Sequence, residues 1–498
     1  MHAAHRANQI RTPMGAAAYL GAFTLAAVAC AAFLIPVFDY VVSRPGGGNN
    51  ILIVLAALGV MALWVRLMIG GQWLHVLGLQ ILLLNVTARA TELFGVVAFT
   101  NFDDQQEIAS ATTLLIVLAG LALAAQRYRS GSRGRQLEGR AAETALVLFA
   151  VFGVLATASQ FVNHTPASAF WLSLTGVWQY AVVGTVTLVA IRKSEDIVVL
   201  WRYMIGAVIL SIVIRTATRG EVYGQLEGLN PMRLGSIAFG PSNYYSSTVA
   251  IAITLGLGLL SATRSGWSKA LCGFVLLLLA VEQISTFTRG GYVALAAVVL
   301  LPLFKGTRKF AAGLAAFAGV ALLAVGHWVL PILLFRPFDL KENSVQQRFW
   351  LIAMAIPHCF DNFGFGHGIA RYILFEDPTG TGGVNLPVHS LLLETAQMVG
   401  GLATLALIAL FAWIVMGLWR VSLREAGPAG RAAPFVLTAI VGWHLYSNTT
   451  GTSILCYAPQ EATVLVWVLM FMGVRLIDLA ADKKPSALAG NVLNGMAA

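Results

Sequence analysis

Four arginines and a histidine stand where a hydrophobic chain has little ordinary use for them. They are Arg215 and Arg219 in "IRTATRGEVYG", Arg289 in "STFTRGGY", Arg348 in "NSVQQRFWLIAMAIPHCF" and His389 in "NLPVHSLLLETAQMVGG". Arg215 and Arg219 are four residues apart and project from one face of a helix. Guanidinium forks fit phosphate oxygens, at about 1.5–3 kcal/mol per charged hydrogen bond. The plainer use is a headgroup contact with the stem in lipid. Arg289 is followed by Gly290 and Gly291 and shares a helical row with Glu282 and Thr286. That row reads either as a buried Glu–Arg network joining two helices or as an anion site whose glycines admit a ligand close to the backbone. Arg348 taken alone is a surface arginine. His389, at the start of a helix, is either a polar cap at the lipid–water boundary or a general acid–base. Imidazole titrates near neutrality, and that role is worth roughly 10²–10⁴-fold in rate. Glu394 lies about 140° round the helix from His389, inside an apolar run where a carboxylate faces a cavity or a partner. Several fixed positive charges and a titratable base beside an apolar cavity suit a lipid-linked anionic substrate. The arginines would hold a pyrophosphate and stabilise it as a leaving group, and the histidine would deprotonate an incoming hydroxyl.

These residues need elements to position them, and the composition says which. The chain has 498 residues, 58% hydrophobic and 11% charged, against about 25% charged in soluble domains. Apolar runs of roughly 18–22 residues recur along its length, as in membrane-spanning helices. They do not alternate as barrel strands do, and a helix satisfies its own backbone in lipid. The expected fold is therefore an all-α polytopic membrane protein, one transmembrane helical domain over 1–498 with about 12–14 spans. These lie near 15–38, 51–69, 72–86, 108–126, 142–160, 174–191, 199–214, 243–262, 269–287, 291–304, 309–330, 389–419, 433–448 and 459–476. The first run is too long for a signal-peptide core and reads as a retained helix. The formal charge of +10 does not imply nucleic acid, because the basic residues fill alternate short loops: Arg127 to Arg140, Arg192 and Lys193, Arg264 and Lys269, Lys305 to Lys309, Arg420 to Arg431. By the positive-inside rule both termini face the cytoplasm. The acidic loop "TNFDDQQEIAS" falls outside. Arg215, Arg219, Arg289, Arg348 and His389 fall outside too, against the charge rule.

The largest outer loop is 331–388, a length that is usually functional when it is ordered. It carries an amphipathic helix with a Ser344/Gln347 capping box, expected to stop at Pro357 and to lie on the membrane surface or cover a cavity. His358 and His367 read as loop surface, and no Cys, His or carboxylate spacing fits a metal site. Cys30, Cys272, Cys359 and Cys456 form no disulfide framework. "NFGFGHG" follows no strand, so its glycines are weak as a nucleotide motif. His444 and Glu461 fall near the outer ends of late helices, where Trp443 and Tyr446 look like interface anchors.

At this point the chain resembles the bacterial O-antigen ligase and polymerase family, integral-membrane glycosyltransferases of the GT-C type. The resemblance covers roughly 240–405. It is carried by "SNYYSSTVAIAI", by "STFTRGGYVAL", by "NSVQQRFWLIAMAIPHCFDNFGFGHGI" and by "VHSLLLETAQMVGGLATL". Two positions depart from the family pattern: Ser390 stands where an Asn usually follows the His, and Thr288 where a Ser usually precedes the Arg. The resemblance implies a multi-pass protein of the bacterial inner membrane with its active site facing the periplasm. It implies an inverting, metal-independent transfer without cofactor from an undecaprenyl-pyrophosphate-linked oligosaccharide. His389 would be the general base. Arg215 or Arg219, with Arg289, would grip the pyrophosphate, joined by Arg348, with Glu282 and Glu394 in support. The acceptor is either a growing glycan on the next lipid-linked repeat or lipid A–core. About fourteen spans rather than twelve favour a polymerase of O-antigen or exopolysaccharide, with a chain-length regulator as a further partner. The rival reading is a polytopic transporter, which would show internal repeats and a polar site at mid-membrane; the polar residues here gather at one face instead.

Overall fold

The computed structural model describes residues 59–60, 62–94, 98–102, 105–108, 111–129, 139–217, 242–286, 288–304, 307–315, 343–369, 388, 390–424, 427–450 and 460–481. In chain order the elements are α1 (Trp73–Phe94), a hairpin of β1 (Ala98–Phe102) and β2 (Gln105–Ile108), α2 (Ala111–Arg129) and α3 (Arg140–Asn163). Next comes α4 (Pro166–Ser173), which runs through a π turn (Leu174–Trp178) into α5 (Gln179–Ala190). There follow α6 (Ser194–Ala217), α7 (Ser242–Ala262), α8 (Gly266–Ser285) and α9 (Arg289–Ala296), the last prolonged by a 3-10 turn to Leu303. The chain then gives α10 (Asn343–Asp361), α11 (Leu391–Val399), α12 (Gly401–Arg424), α13 (Pro428–Thr450) and α14 (Gln460–Ala481). Seven helices among the described residues are long and apolar enough to cross a membrane. The protein is a polytopic helical membrane protein. The expected first span, most of 309–330 and both termini lie outside the described residues.

Helices hold together in lipid through close packing rather than through escape from water, and the sequence supplies small residues at the crossings. A side chain at Gly184, Gly417 or Gly442 would collide with Phe471, with Ile477 and with the Ala294 carbonyl respectively. The central helix is α14, whose membrane window is 89% buried, whereas that of α8 is 17% buried. Trp467 of α14 stacks on Tyr180 of α5 at 5.7 Å between ring centroids and meets the edge of Phe149 of α3 at 5.1 Å. At the periphery, α8 turns Trp267, Leu271, Phe274 and Leu277 outward, as a helix facing acyl chains should.

One end of the bundle is fixed by Asp478, in the last turn of α14. Its carboxylate accepts from Ala141 N at 2.9 Å and Ala142 N at 3.0 Å, so α14 caps the start of α3. Arg475 Nε donates to the Ile191 carbonyl at 2.8 Å, just past the end of α5. The end of α14, the start of α3 and the end of α5 therefore share one side, the side of the basic loops. Asp478→Ala is expected to lower unfolding free energy by about 1–2 kcal/mol, the loss typical of an N-terminal cap. Titrated unfolding in mixed micelles would read it, and Asp478→Asn, which keeps one acceptor oxygen, should lose less.

Several expectations need correction. The acidic loop "TNFDDQQEIAS" is not wholly irregular: β1 and β2 pair antiparallel, with Phe102 opposite Gln105 and two residues between the strands. A two-residue connection is the commonest way to join such strands. The helix from Asn343 does not stop at Pro357 but continues to Asp361. An interior proline removes a backbone donor and crowds the carbonyl four residues back, at about 3 kcal/mol; the buried row Leu351, Ala355 and Cys359 runs on past it. The expected single span 389–419 is two helices, because Gly400 leaves helical geometry at φ +87°. The Glu282–Thr286–Arg289 row is not on one helix: α8 ends at Ser285, with Thr286 as its cap residue, and α9 begins at Arg289. Trp443 and Tyr446 are not boundary anchors. They are 4% and 0% exposed, inside the protein.

Candidate functional site

Spanning segments of 18–25 residues are about 27–38 Å long, so the far end of the bundle is set once the Asp478 end is known. It gathers the end of α6, the start of α7, the end of α8, the start of α9 and the end of α13. The backbone of Arg215 lies in the last turn of α6, and that of Arg289 opens α9. The side chains of Arg215, Arg289 and Arg348 lie outside the described residues, as do Arg219 and His389 altogether.

Around Arg289 the described neighbours form a buried polar junction. Gln283 Nε2 donates to Ser246 Oγ at 3.0 Å, linking α8 to α7. Thr286 Oγ1 donates to the Gln283 carbonyl at 2.7 Å, and Thr288 Oγ1 to the Thr286 carbonyl at 2.9 Å. These two bonds stabilise the non-helical step between α8 and α9. Gly291 presses on the pair so closely that a Cβ there would collide with Gln283 Nε2 and Ser246 Oγ. The second glycine after Arg289 thus lets the backbone of α9 approach the Gln283–Ser246 pair. Glu282 is 5% exposed.

The second half of the site is built on α11. Ser390 precedes the helix, and Leu392 N donates to Asn448 Oδ1 of α13 at 3.2 Å. Asn448 Nδ2 in turn donates to the His444 carbonyl at 3.0 Å. Glu394 is 7% exposed, but it does not lie in a spanning helix. It sits in a nine-residue helix that ends before Gly400, and the span itself begins at Gly401. Glu394 is not related to His389 by a 140° helical step, because α11 starts at Leu391, two residues after His389. The residues flanking His389 are buried: Val388 at 0% and Ser390 at 7%. Val388 packs against Leu351 and Ala355 of α10, with Leu393 alongside. By register Arg348 belongs to the helical row of Leu351 and Ala355.

The far end of α11 is clamped by the glycine-rich turn 362–369. His367 N donates to the Gln397 carbonyl at 2.7 Å, Gly368 N to Met398 O at 2.9 Å and Gly401 N to Phe363 O at 2.7 Å. The end of α3 closes the other side: Ser159 Oγ donates to the Phe365 carbonyl, Asn163 Nδ2 donates to Gly366 O at 3.2 Å, and Ile369 N donates to Gln160 Oε1 at 2.8 Å. A Cβ on Gly366 would stand 2.6 Å from Gln397 O, and one on Gly400 2.6 Å from Gly364 O. These glycines serve backbone-to-backbone packing. His367 is half-buried in this turn. Its Nε2 is buried without a hydrogen-bond partner among the described residues.

His358 Nδ1 lies 3.0 Å from Asp361 Oδ2 on α10, and Cys359 is a buried helix residue. Burial pushes its thiol up to about 11, which keeps it protonated and unreactive at neutral pH. The His444 ring meets Phe411 edge-on at 4.2 Å and lies 5.1 Å from Trp443. Among the described residues no three His, Cys, Asp or Glu side chains come together as a metal ion would require. Sequence reasoning missed Gln283, Ser246 and Asn448. The available signal was a polar side chain inside an apolar run, which in a membrane protein marks a partner or a function.

No family model and no curated protein matches this chain.

Proposed function

We propose that this protein is a membrane glycosyltransferase that moves a glycan from undecaprenyl pyrophosphate to an acceptor hydroxyl on the periplasmic side of the bacterial inner membrane, as a polymerase of O-antigen or exopolysaccharide repeat units. One observation carries the reading. The four segments that resemble the O-antigen ligase and polymerase family come together in two interlocked pairs at one end of the bundle. The Ser246 segment meets the Gln283–Gly291 segment, and the 343–369 segment meets the 388–401 segment. α13 touches both, through Asn448 to Leu392 and through Gly442 to the Ala294 carbonyl.

In this reading the acceptor hydroxyl attacks the anomeric carbon and the bond from that carbon to the pyrophosphate oxygen breaks, with inversion. His389 takes the hydroxyl proton. Arg289, with Arg215 or Arg219, neutralises the departing pyrophosphate, and Arg348 joins them from α10. Glu282 and Glu394 hold this cationic set in place. The carbohydrate stays outside the lipid while the polyprenyl chain remains in it, which is why an end of the bundle serves better than its middle. In this reading both termini are cytoplasmic and the chain crosses the membrane 12–14 times.

The deciding assay is transfer by purified protein from a lipid-linked repeat, supplied alone or with lipid A–core. Elongation without the core supports a polymerase; product formed only with the core means a ligase. Arg289→Ala is expected to lower kcat/KM about 10–100-fold, the equivalent of one charged hydrogen bond in the transition state. Arg215→Ala and Arg219→Ala, assayed side by side, should separate into one variant with a comparable loss and one near wild type. If lipid-linked repeats fail to cross the membrane in cells lacking the protein, the transporter reading replaces this one.

A further inference from the structure

We infer that the outward face of α10 is an in-plane membrane anchor, seated among the acyl chains of the leaflet at the candidate-site end. Phe349, Ile356 and Phe360 are 71%, 45% and 67% exposed, and Ala353 is exposed with them. At 3.6 residues per turn these four fall within an arc of about 60°. The opposite row, Leu351, Ala355 and Cys359, is buried, with Leu351 and Ala355 against Val388. The helix thus has two apolar sides, one used by the protein and one not. The unused stripe carries no charged residue, and Asp361, paired to His358, lies off its edge.

Its occupant is indicated by what it joins. Phe360 stacks on Phe363, with centroids 6.2 Å apart and planes 8° from parallel. The Phe363 ring covers Gly401, the first residue of the spanning helix α12. From there Leu402, Leu405 and Ile408 continue the exposed apolar surface down α12. The stripe is therefore the upper margin of a surface that already faces lipid. The apolar part of α10, Phe349–Asp361, is about 20 Å long and cannot cross a hydrocarbon core of about 30 Å. An amphipathic helix of this kind lies in the interface plane. Anchored so, α10 would set the depth of Val388 and Ser390 on its other side. None of this depends on the transferase reading.

The test is spin-label accessibility on the full chain in phosphatidylethanolamine/phosphatidylglycerol nanodiscs. Cys30, Cys272, Cys359 and Cys456 are first replaced by Ala, and labels are placed at Phe360→Cys, Ile356→Cys and Ala353→Cys. Leu405→Cys is the lipid reference and Asp361→Cys the aqueous-edge reference. The three stripe positions should collide with dissolved oxygen as Leu405→Cys does and lose contact with a water-soluble nickel chelate that reaches Asp361→Cys. Nickel contact equal to that at Asp361→Cys would overturn the inference. So would protection from both reagents, which would mean that protein, a second copy or another part of this chain, covers the face. Three labelled positions guard against one variant failing to fold.

Discussion

Replacing His389 by alanine should lower glycan transfer by about 10²–10⁴-fold, the range for loss of a positioned general base. Binding of the lipid-linked donor should change little, because the pyrophosphate is held by arginines. The loss should therefore fall on kcat. A base acts in its neutral form, so wild-type activity should decline as pH falls through the ordinary imidazole range. The residual activity of His389→Ala should lack that limb. The described neighbours are held by the protein: Val388 is packed on α10 and Leu392 is tied to Asn448. A correctly folded variant is therefore expected, checked by size-exclusion profile and thermal midpoint. A kcat within threefold of wild type in a folded His389→Ala protein would remove the histidine from the mechanism.

The second large effect is on folding. Gly400→Val should prevent accumulation of correctly folded protein. The backbone there holds φ +87°, which costs a β-branched residue about 1–3 kcal/mol. Its Cβ would also stand 2.6 Å from the Gly364 carbonyl, and overpacking adds about 1–3 kcal/mol. The clash falls on backbone, so no rotamer relieves it. Gly273→Ala is the matched control, since nothing lies within 4 Å of a Cβ at that position on α8. Detergent-solubilised yield and thermal midpoint compare the two. Equal values would mean that the clamp on α11 contributes nothing to stability.

Much of the bundle was legible in the sequence because long apolar runs have one workable conformation in lipid. The ends of α3, α7 and α14 fall within a few residues of the expected spans. What stayed hidden were the breaks. Gly400 looked like any glycine in a membrane helix, and the step at Thr286–Thr288 interrupts a polar row that reads as continuous when written on a helical wheel. The first break is held by partners far along the chain, Phe363 and Gly364, and the second by the bonds of its own threonines. Trp443 and Tyr446 misled for a related reason. An aromatic near a helix end has the same spacing whether it faces headgroups or neighbouring helices, and here Ala250 and Ala294 make room for Tyr446 inside. The site was legible in part. Glu282 and Glu394 are buried, as carboxylates in this setting should be, while Asn448 and Gln160 stood out only as polar side chains near apolar runs, with nothing to name their backbone partners.

The clamp between residues 362–369 and 397–401 is written almost wholly in main-chain atoms. Peptide N–H and carbonyl groups are the same whatever side chain they carry, so this joint could outlast nearly complete turnover of the residues around it. Only the glycines are fixed by its geometry, at 366 and 368 on one strand of chain and at 400 and 401 on the other. Distant kin of this protein should then be recognisable by a rhythm of missing side chains, two short glycine groups about thirty residues apart, long after ordinary identity has decayed.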